Sequence, residues 1–174
     1  MPVIYINDTI KPMKNSMALW GVFVLLVIFF PPGAHGAPIR ELSVGFATVE
    51  RGEWILEEVR TQGRTIVMDR VRLEAQGLGE VYTIQFQEGR VLGMGAPNRF
   101  FGPYTSGTGR SLAIGDLAST LMAAIIEPEG LRESEYFGFL SRVNRWGIHE
   151  GKLELYSTNS DGAEAVLVFL PNWG

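Results

Sequence analysis

Val81-Tyr-Thr-Ile-Gln-Phe-Gln87, followed by Glu88-Gly89 and Arg90-Val-Leu-Gly-Met-Gly95, decides the fold. In the first run Tyr82, Ile84 and Phe86 alternate with Thr83, Gln85 and Gln87. That is the period of a strand with one apolar face turned inward. Glu88-Gly89 is a tight hairpin signal, so Arg90 to Gly95 returns antiparallel. Glycines at 93 and 95 in a strand predict a bulge or the close approach of another backbone. The continuation, Gly95-Ala-Pro-Asn-Arg-Phe-Phe-Gly-Pro-Tyr104, crowds glycine and proline between aromatics and an Asn-Arg pair. Residues of that kind fix a chain path instead of filling a core.

Other segments repeat the strand pattern. Glu53 to Val59 places Trp54 and Leu56 on one face and Glu57 on the other, and Ile66 to Leu73 reads as a second strand with weaker alternation. Ser111 to Leu117 puts Leu112 and Ile114 on one face, and Lys152 to Tyr156 does the same with Leu153 and Leu155. Glu164 to Leu170, with its unbroken Val-Leu-Val-Phe, predicts a strand buried on both sides. Thr120 to Ile126 is apolar throughout and fits either a buried strand or a short helix. Residues 37–52 are a lead-in with an edge strand as the expected form. Pro128 to Arg145 is the expected main helix: Leu131, Phe137, Leu140 and Val143 lie close to one face, acids crowd its start, and Gly147 stands where a left-handed cap belongs. The expected fold is α+β, a mostly antiparallel, curled or barrel-like sheet of about eight strands with one main helix over about 128–145.

Of the 174 residues, 46% are hydrophobic and 11% aromatic, enough for one domain with a packed core. The net charge of −4 carries no basic footprint for nucleic acid. The sequence has no cysteine, which removes disulfides, thiolate metal ligands and cysteine nucleophiles. Ahead of the domain, Met17 to Phe30 is an uninterrupted apolar run. Lys11 and Lys14 precede it, Pro31-Pro32-Gly33 breaks it, and Ala34-His35-Gly36 offers small residues at an exit. The run falls short of the roughly 20 residues a spanning helix needs. The expectation is therefore a signal peptide over 1–36, cleaved before Ala37, with Met13 an alternative start and the membrane met only through this segment if it stays uncleaved. The expected location is outside the cytoplasm, periplasmic or secreted. Residues 37–49 then lead into a domain over 50–170.

Trp54-Ile-Leu56, Gly95 to Tyr104, Leu112-Ala-Ile114, Ser119-Thr-Leu-Met-Ala123 and Glu135-Tyr-Phe137 followed by Leu140 resemble the META domain family, the HslJ-like group. The order and spacing hold over about residues 50–170. Trp54, Gly95, Pro97, Gly102, Thr120 and Met122 carry the structural motif. The family pattern usually has a cysteine where Pro97 stands and a second at the position of Ala124. The resemblance implies that these two positions are neighbours in space and that cysteines placed at 97 and 124 would form a disulfide. It further implies a small, often exported domain linked in general terms to stress responses, motility or virulence, and no catalytic residues.

The residues themselves assemble no catalytic set, and no cofactor or metal site is expected. His149 is the one histidine after residue 36, beside a predicted turn and without a nucleophile signature. Zinc would need more ligands than exist. Asn159, Asp161 and Glu164 lack the spacing of a calcium loop and read as a turn. Glu133 and Glu135 are separated by two positions and diverge on a helix, so they read as dipole partners and not as a carboxylate pair. The candidate ligand residues are Asn98, Arg99 and Tyr104, with Arg99 suited to stacking on an aromatic or clamping a carboxylate. The alternative is that Asn98 and Arg99 hold the loop against the sheet. Three functions stay open: a non-enzymatic binding or structural protein of the cell envelope, whose partner is an unnamed envelope protein or a small ligand; a small-ligand carrier with a pocket inside the sheet and Arg99 at its mouth; and a hydrolase built on Glu133 or Glu135.

Overall fold

A computed structural model describes residues 45–123 and 126–172, so the apolar run and the cleavage point expected of the N-terminus lie outside the described residues. The chain opens with a 3-10 turn, Phe46–Arg51, and continues as β1 (Glu53–Thr61), β2 (Arg64–Val67), α1 (Arg70–Ala75), β3 (Thr83–Gln87) and β4 (Arg90–Met94). β5 (Arg99–Ser106), β6 (Leu112–Ile114) and β7 (Ala118–Ser119) follow, then a 3-10 turn Pro128–Gly130, α2 (Glu133–Leu140), β8 (Arg145–His149), β9 (Lys152–Thr158) and β10 (Glu164–Pro171). Ten strands form one sheet in the order β6-β5-β4-β3-β1-β10-β9-β8, with β2 beside β1 and β7 beside β5. All the pairings are antiparallel. The two ends of the sheet meet: Ser111 bridges Arg145, Leu112 N donates to Asn144 O at 3.2 Å, and Trp146 N donates to Arg110 O at 2.9 Å. The result is a nearly closed barrel, with a smaller helical share than the expected α+β form.

The hairpin signals act as their chemistry requires. Glu88 and Gly89 have φ of 49° and 77°, and Glu150 and Gly151 have 51° and 78°. Positive φ at both central residues is the type I′ geometry whose twist matches the flanking strands. In β1 a bulge between Leu56 and Glu58 adds one residue, so that Trp54, Leu56 and Val59 all face inward. Gly93 is a close approach: a Cβ there would overlap Thr83 O and come within 2.9 Å of the Phe100 ring.

The barrel interior is filled from both ends. At one end the Phe46 ring stands edge-on to Phe86 at 5.1 Å and to Trp146 at 5.2 Å, with Tyr104 tilted at 5.3 Å. At the other, α2 inserts Tyr136 against Tyr82 at 5.0 Å, with Phe139 and Leu140 buried alongside. Aromatic pairs at these separations add to what area burial alone supplies. The interior pocket required of a carrier is therefore occupied by side chains.

Four expectations need correction. The main helix is eight residues long, not eighteen. Glu129 and Gly130 have positive φ, 53° and 73°, which turns the chain and prevents a helix from starting at Pro128. At the other end Gly147 lies within β8 and caps nothing; the last helical turn gives way at Ser141, whose Oγ bonds Phe137 O at 2.9 Å. The second strand stops at Val67, because Asp69 caps α1 through Arg72 N at 3.0 Å. Arg70 at the head of α1 then bonds Leu56 O and Val81 O, and burial lowers its guanidinium to about 10, still charged at neutral pH. Residues 46–51 form a 3-10 turn in place of an edge strand and supply Phe46 and Val49 to the core. Thr120 to Ala123 is irregular and exposed, with Leu121 97% and Met122 57% accessible; Ala124 and Ile125 lie outside the described residues. Among the described residues, no helix is long and apolar enough to cross a membrane.

Trp54 is buried, and its indole N–H donates to Val49 O at 2.9 Å, so one side chain joins β1 to the turn that plugs the barrel. Trp54→Ala should cost about 3–5 kcal/mol. Chemical denaturation monitored by circular dichroism measures it, and an unchanged midpoint would contradict the packing described.

Candidate functional site

The loop between β4 and β5 is held by a carboxylate from α2. Glu133 Oε1 accepts from Ala96 N at 2.7 Å and from Asn98 N at 2.6 Å, and Oε2 accepts from Asn98 Nδ2 at 2.6 Å. Asn98, itself buried, spends its whole amide. Nδ2 also donates to Met122 O at 3.0 Å, and Oδ1 accepts from Met122 N at 2.7 Å and Thr120 Oγ1 at 2.9 Å. Gly95 makes room, since a Cβ there would collide with the Glu133 carboxylate and lie 2.9 Å from Phe137 Cζ. The peptide between Ala96 and Pro97 is cis. Gly95, Pro97, Asn98, Thr120 and Met122 are thus brought into one cluster, with Glu133 at its centre. Trp54 sits in the core elsewhere. Gly102 faces inward on β5, where a Cβ would meet Asp116 O at 2.8 Å. Position 124, expected to neighbour 97, lies outside the described residues.

Asn98, Arg99 and Tyr104 do not form one site, because β5 alternates. Asn98 is tied into the loop and does not take positive φ. Phe100, Gly102 and Tyr104 point inward, whereas Arg99, Phe101 and Pro103 point outward. Tyr104 packs in the barrel and its phenol donates to the Glu50 carboxylate. Arg99 is fixed through its backbone: its N donates to Thr120 Oγ1 at 3.2 Å, and its O accepts from Thr120 N at 3.0 Å. Its guanidinium has no ring, ion-pair or hydrogen-bond partner among the described residues. The cation over the neighbouring Phe101 ring is Arg90, 5.4 Å from its centre.

Arg99 lines an open groove of about 420 Å³ on the outer face of β3, β4 and β5. Leu92, Met94 and Phe101 give it an apolar floor, and Glu53 and Glu80 contribute acidic groups. Leu92 is 38% and Phe101 50% exposed. A second cleft of about 300 Å³, lined by Arg90, Pro103 and Asp116, lies on the other side of Phe101. Sequence reasoning missed Leu92, Met94 and Phe101, although the signal was present. Once the hairpin phase places Phe86 and Val91 inside, the alternate positions of β4 and β5 must face out.

Glu133 and Glu135 are split by the fold. Glu133 is consumed by the three N–H donors, while Glu135 faces a small cleft with Arg132 and Arg142 and pairs with Arg64 at 3.7 Å. The two carboxylates therefore cannot act together on one bond. His149 is exposed beside Glu150. Asn159 Oδ1 is occupied by Asp161 N and Ala163 N, both at 2.9 Å.

Glu133→Ala leaves three donors unpaired in a buried loop; at about 1–3 kcal/mol for each, it should remove on the order of 3 kcal/mol or more. Glu133→Gln should cost less, since one oxygen remains for the backbone pair. Asn98→Ala combined with Glu133→Ala should lose less than the sum of the single losses, because the two act in one network. Urea midpoints decide this, and additive losses would refute the shared network.

The phenol of Tyr104 is raised to about 12 by burial first and by its bond to Glu50 second, and burial also raises Tyr82 and Tyr136. Tyr156 rises through its bond to Glu154. A phenol raised on folding stabilises the fold fully below about pH 10, its unfolded value, and loses that contribution as pH climbs through the folded one. The native protein at pH about 10 should therefore show no more than about one residue's worth of tyrosinate absorbance, the remainder developing only with unfolding. Half-ionisation of all tyrosines at that pH in the folded protein would contradict it.

The META domain family matches residues 47–172. No curated protein matches the chain significantly. Solved structures that share the fold include two of low identity. One is the NMR structure of a protein from Burkholderia xenovorans, 20% identical, with a TM-score of 0.57 over 84% of this chain and 99% of that one. The other is the crystal structure of a DUF4847 family protein from Bacteroides vulgatus, 12% identical, with a TM-score of 0.51 over 73% of this chain and 96% of that one. With a match spanning the lead-in turn to the end of β10, the chain belongs to the META domain family.

Proposed function

We propose that this META-domain protein is exported and acts in the cell envelope by binding, through the outer face of β3, β4 and β5. The observation that carries the reading is the groove at Arg99. It combines two half-exposed large apolar side chains, Leu92 and Phe101, with a guanidinium that has no partner among the described residues. Exposed apolar surface rimmed by charge is the usual mark of an interaction site. Support for export comes from the basic, apolar and small-residue pattern over residues 11–36. The general link to stress, motility or virulence comes only from the family resemblance.

A photo-crosslinking residue placed at Phe101 in living cells tests both parts. The chain recovered from the envelope or medium should begin at Ala37 by mass, and it should carry an adduct that Leu92→Ser abolishes. Leu92→Ser should change stability by no more than about 0.5 kcal/mol, since the side chain is on the surface. A chain found intact in the cytoplasm would overturn export. A properly exported chain without any Leu92-dependent adduct would overturn the binding face.

A further inference from the structure

The groove carries opposite charges at its two ends. Register places Arg99 of β5 beside Met94 of β4 and Thr83 of β3, and it places Phe101 beside Leu92, Gln85 and then Glu53 of β1. Arg99 lies level with Ile55, so Arg99 and Glu53 are three strands apart and two residues out of line, about 16 Å between backbones at the usual strand spacing and rise. The guanidinium of Arg99 is unpaired among the described residues. On the β1 side of the groove, Glu53 Oε2 accepts from Asn172 Nδ2 at 3.3 Å, and Glu80, in the turn before β3, lies within electrostatic reach of Arg70 and makes no ion pair among the described residues. Between these ends runs the apolar floor of Leu92, Met94 and Phe101.

We propose that the groove binds short zwitterionic peptides with apolar side chains, the carboxylate on Arg99 and the ammonium on Glu53 and Glu80. The inference rests on the groove being the protein's binding surface. A guanidinium takes a carboxylate in two parallel hydrogen bonds, and a carboxylate takes an ammonium. The reach of the two side chains shortens the gap of about 16 Å to the length of an extended di- or tripeptide, about 7–10 Å. A volume of about 420 Å³ is of the right order for such a ligand. A lone anionic lipid or fatty acid would leave Glu53 and Glu80 facing its tail, and a lone cation would face Arg99. Both charge signs are satisfied only by a ligand that carries both, with apolar matter between. Nothing in the binding step needs a bond to break.

The test is calorimetric titration of the protein, purified as the cell makes it, with trileucine, N-acetyl-trileucine and trileucine amide. Trileucine should bind, and blocking either end should weaken it at least tenfold. Arg99→Gln should abolish the preference for the free carboxylate and leave the preference for the free amine. Glu53→Gln with Glu80→Gln should do the reverse, and unchanged melting curves confirm that the variants are folded. Equal binding of free and blocked peptides would overturn the assignment, because a protein C-terminus or a simple apolar ligand would then account for the groove. Absence of all peptide binding, together with a Leu92-dependent adduct at Phe101, would remove the ligand class while leaving the binding face in place. Absence of both would remove both.

Discussion

The carboxylate of Glu133 is the constraint on which the site region depends. Burying a charge carries a heavy desolvation cost, and here three N–H groups from one short loop offset it. The backbone N–H groups of Ala96 and Asn98 have no other acceptor among the described residues, so each side of the arrangement requires the other. Asn98 extends the hold to Thr120 and Met122, and α2, the β4–β5 loop and the segment after β7 become one unit. Because the same helix inserts Tyr136, Phe139 and Leu140 into the barrel end, the polar network also sets how the apolar plug seats. A fully satisfied buried network of this kind specifies one arrangement, where apolar contact alone would tolerate several.

That constraint separates structure from surface along β5. Asn98 is spent inside the loop, Tyr104 inside the barrel, and Arg99 between them is anchored, among the described residues, through its backbone. An alternating strand can divide neighbouring residues between a packed interior and an open face without any loop to do so. With the interior filled by Phe46, Phe86, Trp146 and the α2 aromatics, open concave surface is left to the outside of the sheet.

The strands were legible because alternation and turn chemistry act locally. Ile84 and Phe86 are buried as the pattern demands, and Glu88-Gly89 and Glu150-Gly151 turn as their positive φ allows. The helix was overextended because helical spacing in Leu131, Phe137, Leu140 and Val143 is a property of side chains, whereas the boundaries are set by backbone. Glu129, a residue with no marked preference for positive φ, adopts it where Arg72 pairs with its carboxylate. No local signal announces that pairing across 57 residues. Asp69 ends the second strand by capping α1, a role that the alternation of its apolar neighbours does not reveal. The role of Glu133 was hidden for the same reason as the turn at Glu129: an acid at a helix start suits the dipole, and only tertiary contact shows that its partners are the N–H groups of residues 96 and 98. The family motif was legible as a set of residues, but its physical centre was not among them.

The groove inherits its rigidity from the same elements. Its floor is made by strands whose neighbours approach too closely for any side chain at Gly93, so the backbones of β3, β4 and β5 cannot slide without collision. Arg99 is pinned on both backbone groups by Thr120, and Thr120 in turn is pinned by Asn98. A ligand meeting this face therefore has little backbone to order, and the cost of binding falls mainly on a few exposed side chains. The buried carboxylate thereby acts on the surface it never touches: through Asn98 and Thr120 it fixes the strand position from which Arg99 projects.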